Sequence, residues 1–217
     1  MNIYQRIAEI TKDRKFVTFF EMGCCDGMNT KEITEILEPD CYVYYAFEPD
    51  ERRIQGIEFY VGDRVVIVPK AIGAIDGEAD FYIACEQCYY GSSSLRKPTP
   101  EMLEDFPEMS FSEGRVEVVR LDTFCKERKI EHIDFIWSDI QGCEIDLIDG
   151  GREMLAKTDY LYTEYNNGPM YEGCLDLQGI LDLLPGWTVV EDYGGDALLK
   201  NIRNEFHSTS PKLSWMV

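Results

Sequence analysis

Carboxylates close the apolar runs of this chain, and their spacing points to a chemistry. Phe16-Val17-Thr18-Phe19-Phe20 leads into Glu21, and Met22-Gly23-Cys24-Cys25-Asp26-Gly27 follows as a glycine-bearing turn. A second apolar run, Tyr42 to Phe47, ends on Glu48-Pro49. In an open α/β sheet, ligands bind where strands end and turn into helices. An acid after the second strand is well placed to accept hydrogen bonds from a ribose diol. Glu21 and Glu48 are therefore expected in one crevice, around a nucleoside-containing cofactor. Further along, Asp139 and Glu164 end two more strand-like runs, with Asn166 beside the second. Facing carboxylates there can share a proton, which raises one of them toward the working range of a general base.

The glycines narrow the choice of cofactor. A pyrophosphate cradle needs Gly-x-Gly-x-x-Gly so that the backbone can approach the phosphates. Here the turn reads Glu-x-Gly-x-x-x-Gly over Glu21, Gly23 and Gly27, and Cys25 takes the middle glycine position. Acids at Glu21 and Asp26 repel a pyrophosphate but suit the ammonium and sulfonium charges of S-adenosylmethionine. A nicotinamide-dependent oxidoreductase is the competing enzyme reading. A noncatalytic S-adenosylmethionine-binding subunit is the reading from outside enzymology.

Metal and histidine chemistry have fewer residues to draw on. The chain has two histidines, His132 at the start of a strand, far from the expected pocket, and His207 near the C-terminus. Cys85 and Cys88 have Cys-x-x-Cys spacing, but no second pair completes four ligands, so no bound zinc is expected. Magnesium assistance through Asp139, Glu164 and Asn166 remains open, because oxygen ligands suit that ion. Asp139 also has a purely structural alternative as a cap for the helix that starts near Gly142. Glu144, next along, is expected to favour the positive end of that helix.

These residues need a scaffold, and the chain alternates in a way that provides one. Helical spacing over Met1–Lys12 is followed by a strand at Phe16–Glu21, a helix at Asn29–Leu37 and a strand at Tyr42–Glu48. Pro39 stops the second helix. A short helix over Glu51–Glu58 and a strand over Val65–Pro69 continue the series. The order resumes with a strand at His132–Asp139, a helix at Glu144–Ala156, a strand at Asp159–Glu164 and a helix at Leu175–Leu184. Strands at Trp187–Tyr193 and Ala197–Asn201 flank Gly194-Gly195-Asp196 as a hairpin. Five parallel βα units closed by a hairpin imply a mostly parallel α/β sheet with one reversed strand.

Between these halves, residues 76–120 break the alternation. Strands at Ala79–Ala84 and Arg115–Leu121 enclose a polar stretch in which no periodicity is legible. Connections of that length are commonly lids or binding loops. Tyr89, Tyr90, Arg96 and Lys97 are its candidate lid residues. The Ser92-Ser93-Ser94 run is either a closing contact on the cofactor or a solvated turn. The division expected is one domain over 1–205, with this insert, and a tail over 206–217.

Composition limits the partners. The chain has 217 residues, enough for a full core, and a formal net charge of −20. Such an acidic surface argues against direct contact with a nucleic-acid backbone, which requires displacement of counterions by Lys and Arg. It argues equally against docking on anionic lipid. No apolar run approaches the roughly 18–20 residues of a membrane span. The first residues lack the apolar core of a secretory leader, and eight cysteines without such a signal suggest reduced thiols in the cytoplasm.

In order and spacing the motifs resemble those of the FkbM family of S-adenosylmethionine-dependent methyltransferases. The matching residues are Glu21-Met22-Gly23-Cys24-Cys25-Asp26-Gly27, Phe47-Glu48-Pro49, Ala71-Ile72-Gly73, Ser92-Ser93-Ser94, Leu121-Asp122-Thr123 and Ile133-Asp134. The match continues through Asp139-Ile140-Gln141-Gly142-Cys143-Glu144 to Glu164. It extends over about residues 16 to 200. Gln141 departs from the family's pattern, which usually has an acid there.

The resemblance implies a Rossmann-like methyltransferase fold with a seven-stranded sheet and S-adenosylmethionine as cofactor. It also implies an acceptor hydroxyl on a sugar, glycan or small metabolite. It suggests that Gly23, Cys24 and Gly27 shape the cofactor turn and that Glu21 and Asp26 serve the methionyl end. Glu48 and Pro49 would lie at the ribose, Ala71 and Ile72 along the adenine, and Ser93 over the cofactor. Asp139 would be shared with the acceptor, and Glu164 would act beside it.

Overall fold

The computed structural model describes residues 1–38, 41–61, 65–85 and 91–203. Its first half runs α1 (Ile3–Thr11), β1 (Val17–Met22), α2 (Met28–Ile36), β2 (Tyr42–Phe47), α3 (Glu51–Val61), β3 (Val65–Val68), β4 (Ala71–Ile72) and β5 (Gly77–Ala84). The second half runs α4 (Pro100–Asp105), β6 (Phe111–Val119), α5 (Leu121–Arg128), β7 (Ile133–Ser138), α6 (Glu144–Gly150), α7 (Arg152–Leu155), β8 (Thr158–Glu164), α8 (Leu177–Leu183), β9 (Trp187–Asp192) and β10 (Asp196–Asn201).

The main sheet has seven strands in the order β3-β2-β1-β7-β8-β10-β9. The strands from β3 to β8 pair in parallel, and only β10 is reversed, antiparallel to both β8 and β9. Parallel strands covered on both faces read as continuous apolar runs. β7 is the extreme case, with all six residues buried.

Alternation along β1 feeds two cores. Val17 and Phe19 face α1, α2 and α3, whereas Phe20 and Met22 face α5, α6 and α8. Phe19 stacks between Tyr44 and Phe135, with ring centroids 4.7 and 5.0 Å away. Truncating such a buried ring typically costs about 3–5 kcal/mol. α1 starts on a capping box, in which Asn2 Oδ1 accepts from Gln5 N–H at 2.9 Å and Gln5 Oε1 accepts from Asn2 N–H at 3.3 Å. Ile3, Ile7 and Thr11 then bury one stripe of that helix.

Two differences from the expected elements have physical causes. The helix read over Glu144–Ala156 breaks into α6 and α7 at Gly150-Gly151. A Cβ at Gly150 would stand 2.0 Å from the Gly73 carbonyl oxygen, so this close approach to the chain after β4 demands glycine. Leu121 is not the end of a strand but the first residue of α5, which buries Leu121, Phe124 and Cys125.

The described part of the insert is more ordered than its sequence suggests. β5 and β6 pair antiparallel and β4 joins β6, giving a second, three-stranded sheet. α4 is capped by Thr99, whose Oγ1 accepts from Met102 N–H at 3.2 Å, with Pro100 in its first turn. Met102 and Met109 pack on Tyr171, which joins the insert to the loop after β8. Tyr89, Tyr90, Cys88, His207 and the expected tail lie outside the described residues.

At the N-terminal edge of the sheet, Arg14 bridges Asp134 and Asp159, and His132 Nε2 lies 3.3 Å from Asp159 Oδ2. Hydrogen bonds to Asp134 and Asp159 push His132 up to about 9. A raised folded-state pKa stabilises fully below the unfolded value, and that stabilisation disappears as pH rises through the folded value. We therefore expect His132→Gln to lower the melting temperature clearly at pH 6 and hardly at all at pH 9.5. Thermal scans of both proteins across that window check it, and a constant difference would contradict the ion-pair role. His132, Asp134 and Asp159 are also the group of His, Cys, Asp and Glu whose ligand atoms converge among the described residues. Arg14 already occupies both carboxylates, so the cluster reads as a charge-balanced network.

Candidate active site

The carboxyl ends of β1, β2 and β7 are pinned together by the main chain. Asp139 N–H donates to the Met22 carbonyl at 3.0 Å, and Gly23 N–H donates to Phe47 O at 3.0 Å. Gly23 has φ +83°, and a Cβ there would stand 1.9 Å from the Asp139 carbonyl oxygen. Only glycine allows the turn after β1 to pass this close to the end of β7.

Glu48, one residue beyond β2, ties two turns together. Its Oε2 accepts from Cys25 N–H and its Oε1 from Asp50 N–H, both at 2.8 Å. Burial pushes Glu48 up to about 7, against the pull of these two donors. Each oxygen retains a lone pair for a ligand.

A cavity of about 260 Å³ opens beside these residues. Gly23, Asp26, Glu48, Pro49, Ala71, Ile72, Ser93 and Asp139 all line it, so the structure brings together most of the residues expected from the sequence. Asn29, Asp50, Arg53, Phe81, Leu95 and Cys143 also line it and were missed. Asp50 stands two residues after Glu48, a position that could have suggested it. Phe81 reaches the cavity from β5 and Leu95 from the segment after the serine run; the strand was legible in the sequence, but its placement against the site was not.

Four expected residues lie elsewhere. Glu21 is fully buried on the α2 side of the sheet, where its Oε2 accepts from Tyr44 Oη at 2.8 Å and from Thr30 Oγ1. Burial pushes it up to about 7. Cys24 is a core residue on the same side. Gly27 has φ +77° and packs against Ile57 of α3, with a Cβ there 3.2 Å from Ile57 Cα. Glu164 is not in the cavity wall.

Glu164 is nevertheless linked to Asp139. Gln141 Nε2 donates to Asp139 Oδ1 at 2.6 Å and to Glu164 Oε2 at 2.9 Å. Burial raises both acids, and the charge of Asp139 raises Glu164 further, so the pair retains a proton into the neutral range. The helix-cap alternative for Asp139 does not hold. α6 starts from Cys143 with no side-chain cap, while the Asp139 carboxylate accepts from Gln141. Glu144, in the first turn of α6, is 1% exposed, and burial pushes it up to about 8 against the pull of the Glu144 and Gly142 backbone donors.

The serine run is not a solvated turn. Ser94 is 2% exposed and pairs with Tyr82 through both backbone groups, and its Oγ donates to Gln141 O at 2.7 Å. Ser93 Oγ accepts from Ala84 N–H at 3.0 Å. Arg96, one of the residues expected in a lid, forms a fork on Asp146 of α6, at 2.6 and 2.7 Å.

A doubly covered parallel sheet with one reversed strand, and a cavity at the carboxyl ends of its central strands, is the architecture of a methyltransferase. The model of the methyltransferase FkbM domain matches residues 21–195. The 2-O-methyltransferase NoeI of Sinorhizobium fredii (strain NBRC 101917 / NGR234) is 36% identical over 194 residues, covering 84% of this chain and 79% of that protein. This chain belongs to the FkbM methyltransferase family. Solved structures agree on the fold. A methyltransferase FkbM from Methylobacillus flagellatus KT superposes with a TM-score of 0.52 at 16% identity, over 86% of this chain. The chain spans 44% of the length of that protein. An O-methyltransferase from Bacillus cereus, solved in complex with SAH, gives 0.50 at 12% identity, over 91% of this chain and 79% of its own. Among the described residues no helix is long and apolar enough to cross a membrane.

Proposed function

We propose that the protein transfers a methyl group from S-adenosylmethionine to a hydroxyl oxygen of a sugar, glycan or small metabolite. The observation that carries this reading is the composition of the cavity, where Asp26, Glu48, Asp50 and Asp139 border an apolar slot of Phe47, Ile72, Phe81 and Leu95. Apolar walls suit an adenine, Glu48 suits a ribose diol, and the acids suit the cationic methionyl end. When bound, S-adenosylmethionine supplies an electrophilic methyl carbon on a sulfonium.

What remains for the chain is alignment and proton removal. Gly23 and the Glu48 bridge fix the turn that borders the donor, and such positioning supplies much of the rate of an in-line displacement. Asp139, at the cavity wall, takes the hydroxyl proton as general base, with Glu164 behind it holding a second proton. Gln141 donates to one oxygen of each carboxylate, Asp139 Oδ1 and Glu164 Oε2, so the metal-assisted variant would have to use their other oxygens. The nicotinamide reading is opposed by Asp26, whose Oδ1 accepts from Met28 N–H at 3.0 Å at the helix start a pyrophosphate would use. Cytoplasmic location belongs to the same proposal, and Cys24, Cys25, Cys41, Cys125, Cys143 and Cys174 carry no disulfide.

Calorimetry tests the donor site. S-adenosylmethionine and S-adenosylhomocysteine should bind, and NAD should not bind comparably. Glu48→Ala should weaken donor binding by about 1–3 kcal/mol, the scale for lost hydrogen bonds to a charged group. Unchanged affinity in that variant, or tight NAD binding, would overturn the assignment.

A further inference from the structure

We infer that Gln141 is a positioning residue, whose side-chain amide holds the Asp139–Glu164 pair for proton transfer and ties it to the serine strap over the cavity. The inference rests on the proposed function for the role of the pair. The geometry is its own.

Both amide hydrogens of Gln141 are used, one on Asp139 Oδ1 at 2.6 Å and one on Glu164 Oε2 at 2.9 Å. Gln141 Oε1 faces the Tyr171 hydroxyl at 3.3 Å, and that hydroxyl donates to Ser92 O at 2.7 Å. The main-chain oxygen of Gln141 accepts from Ser94 Oγ at 2.7 Å. One residue thus contacts the end of β7, the end of β8, the loop after β8 and the strap that carries Ser93 into the cavity wall.

The backbone there is unusual. Gln141 has φ +52°, a left-handed conformation that costs a non-glycine residue energy and persists where its surroundings enforce it. Gly142 follows at φ +88°, with Tyr171 against it. The side chain is therefore delivered between the two carboxylates from a fixed backbone.

An amide matters at this point because the titratable groups interacting with the pair among the described residues are acidic, although Arg53 and Lys70 line the same cavity as Asp139. The charge of Asp139 raises Glu21 of β1, Cys25 in the turn after it, Glu144 of α6, Tyr162 of β8, Tyr171 of the following loop and Asp196 of β10, and Glu144 and Asp196 in turn raise Glu164. All of them are acids, thiols or phenols. Gln141 instead offers two donors to the negative charge that a general base must carry, without adding charge of its own.

Carboxyl carbon NMR of protein labelled with 13C at Asp and Glu tests this without any substrate, using Asp139→Asn and Glu164→Gln to assign the pair. Gln141→Met keeps the side-chain size and removes the donors, and Gln141→Glu replaces them with a further acid. Removing the donors destabilises the ionised pair, so its first ionisation should move to higher pH. The shift should be about one pH unit or more in Gln141→Met, the scale of a lost charge-assisted hydrogen bond, and larger in Gln141→Glu. The acid limb of kcat should move by the same amount, with donor Kd unchanged. A filler or purely structural residue would lower the melting temperature and leave the titration in place. An unmoved titration in either folded variant overturns the inference. Because the titration needs no acceptor, failure of the wild-type protein to methylate hydroxyls would count against the proposed function alone.

Discussion

Asp139→Asn should lower turnover by about 100-fold or more, the usual scale for loss of a general base, while donor affinity and melting temperature stay close to wild type. The carboxylate lines the cavity, and its shape and its place at the end of β7 are retained in asparagine. What is lost is basicity. Because Asp139 does not cap α6, the substitution has no helix-start role to disturb. Steady-state kinetics with calorimetry on the same sample separates the outcomes. Turnover near that of wild type removes Asp139 from the chemistry, and lost donor binding in a folded protein moves it to the donor site.

Gly23→Ala should be the most damaging small substitution in the chain. The new methyl group would stand 1.9 Å from the Asp139 carbonyl oxygen, and φ +83° disfavours any Cβ. A strained backbone and a main-chain overlap together cost on the order of 3–5 kcal/mol. For a domain of this size that corresponds to a fall in melting temperature of roughly 10 °C. Relief requires the turn after β1 to separate from β7, which reshapes the cavity, so donor binding should become undetectable. Gly56→Ala is the control, since a Cβ at that position in α3 meets nothing within 4 Å. It should be neutral or slightly stabilising, because alanine favours helix. Wild-type affinity in Gly23→Ala would mean that the turn does not border the donor.

The main sheet was legible because burial on both faces leaves an unambiguous trace. Val17–Met22 and Ile133–Ser138 are apolar almost throughout, and each ends beside an acid. The hairpin was marked by Gly194-Gly195. The site was legible where a residue lies just beyond a strand, as Glu48 and Asp139 do, because the turn there faces the ligand side. Glu21 misled because it lies within β1. Strand alternation sends it to the same face as Val17 and Phe19, under α2, and away from the cavity. The Gln141 junction was out of reach for a different reason. Its partners Ser94 and Tyr171 are 47 and 30 residues away, and only the folded insert brings them to it. Gln141 stood out in the sequence as an amide where an acid was expected, and the structure gives that amide two carboxylates to hold.

The most direct measurement is transfer of labelled methyl from S-adenosylmethionine onto a panel of deprotected glycans and hydroxylated metabolites, with the bonded atom of the product identified by NMR. We predict label on a hydroxyl oxygen of at least one acceptor, strongly reduced with Asp139→Asn. Donor binding with no acceptor methylated would indicate a noncatalytic binding subunit, and label on nitrogen or carbon would contradict hydroxyl transfer.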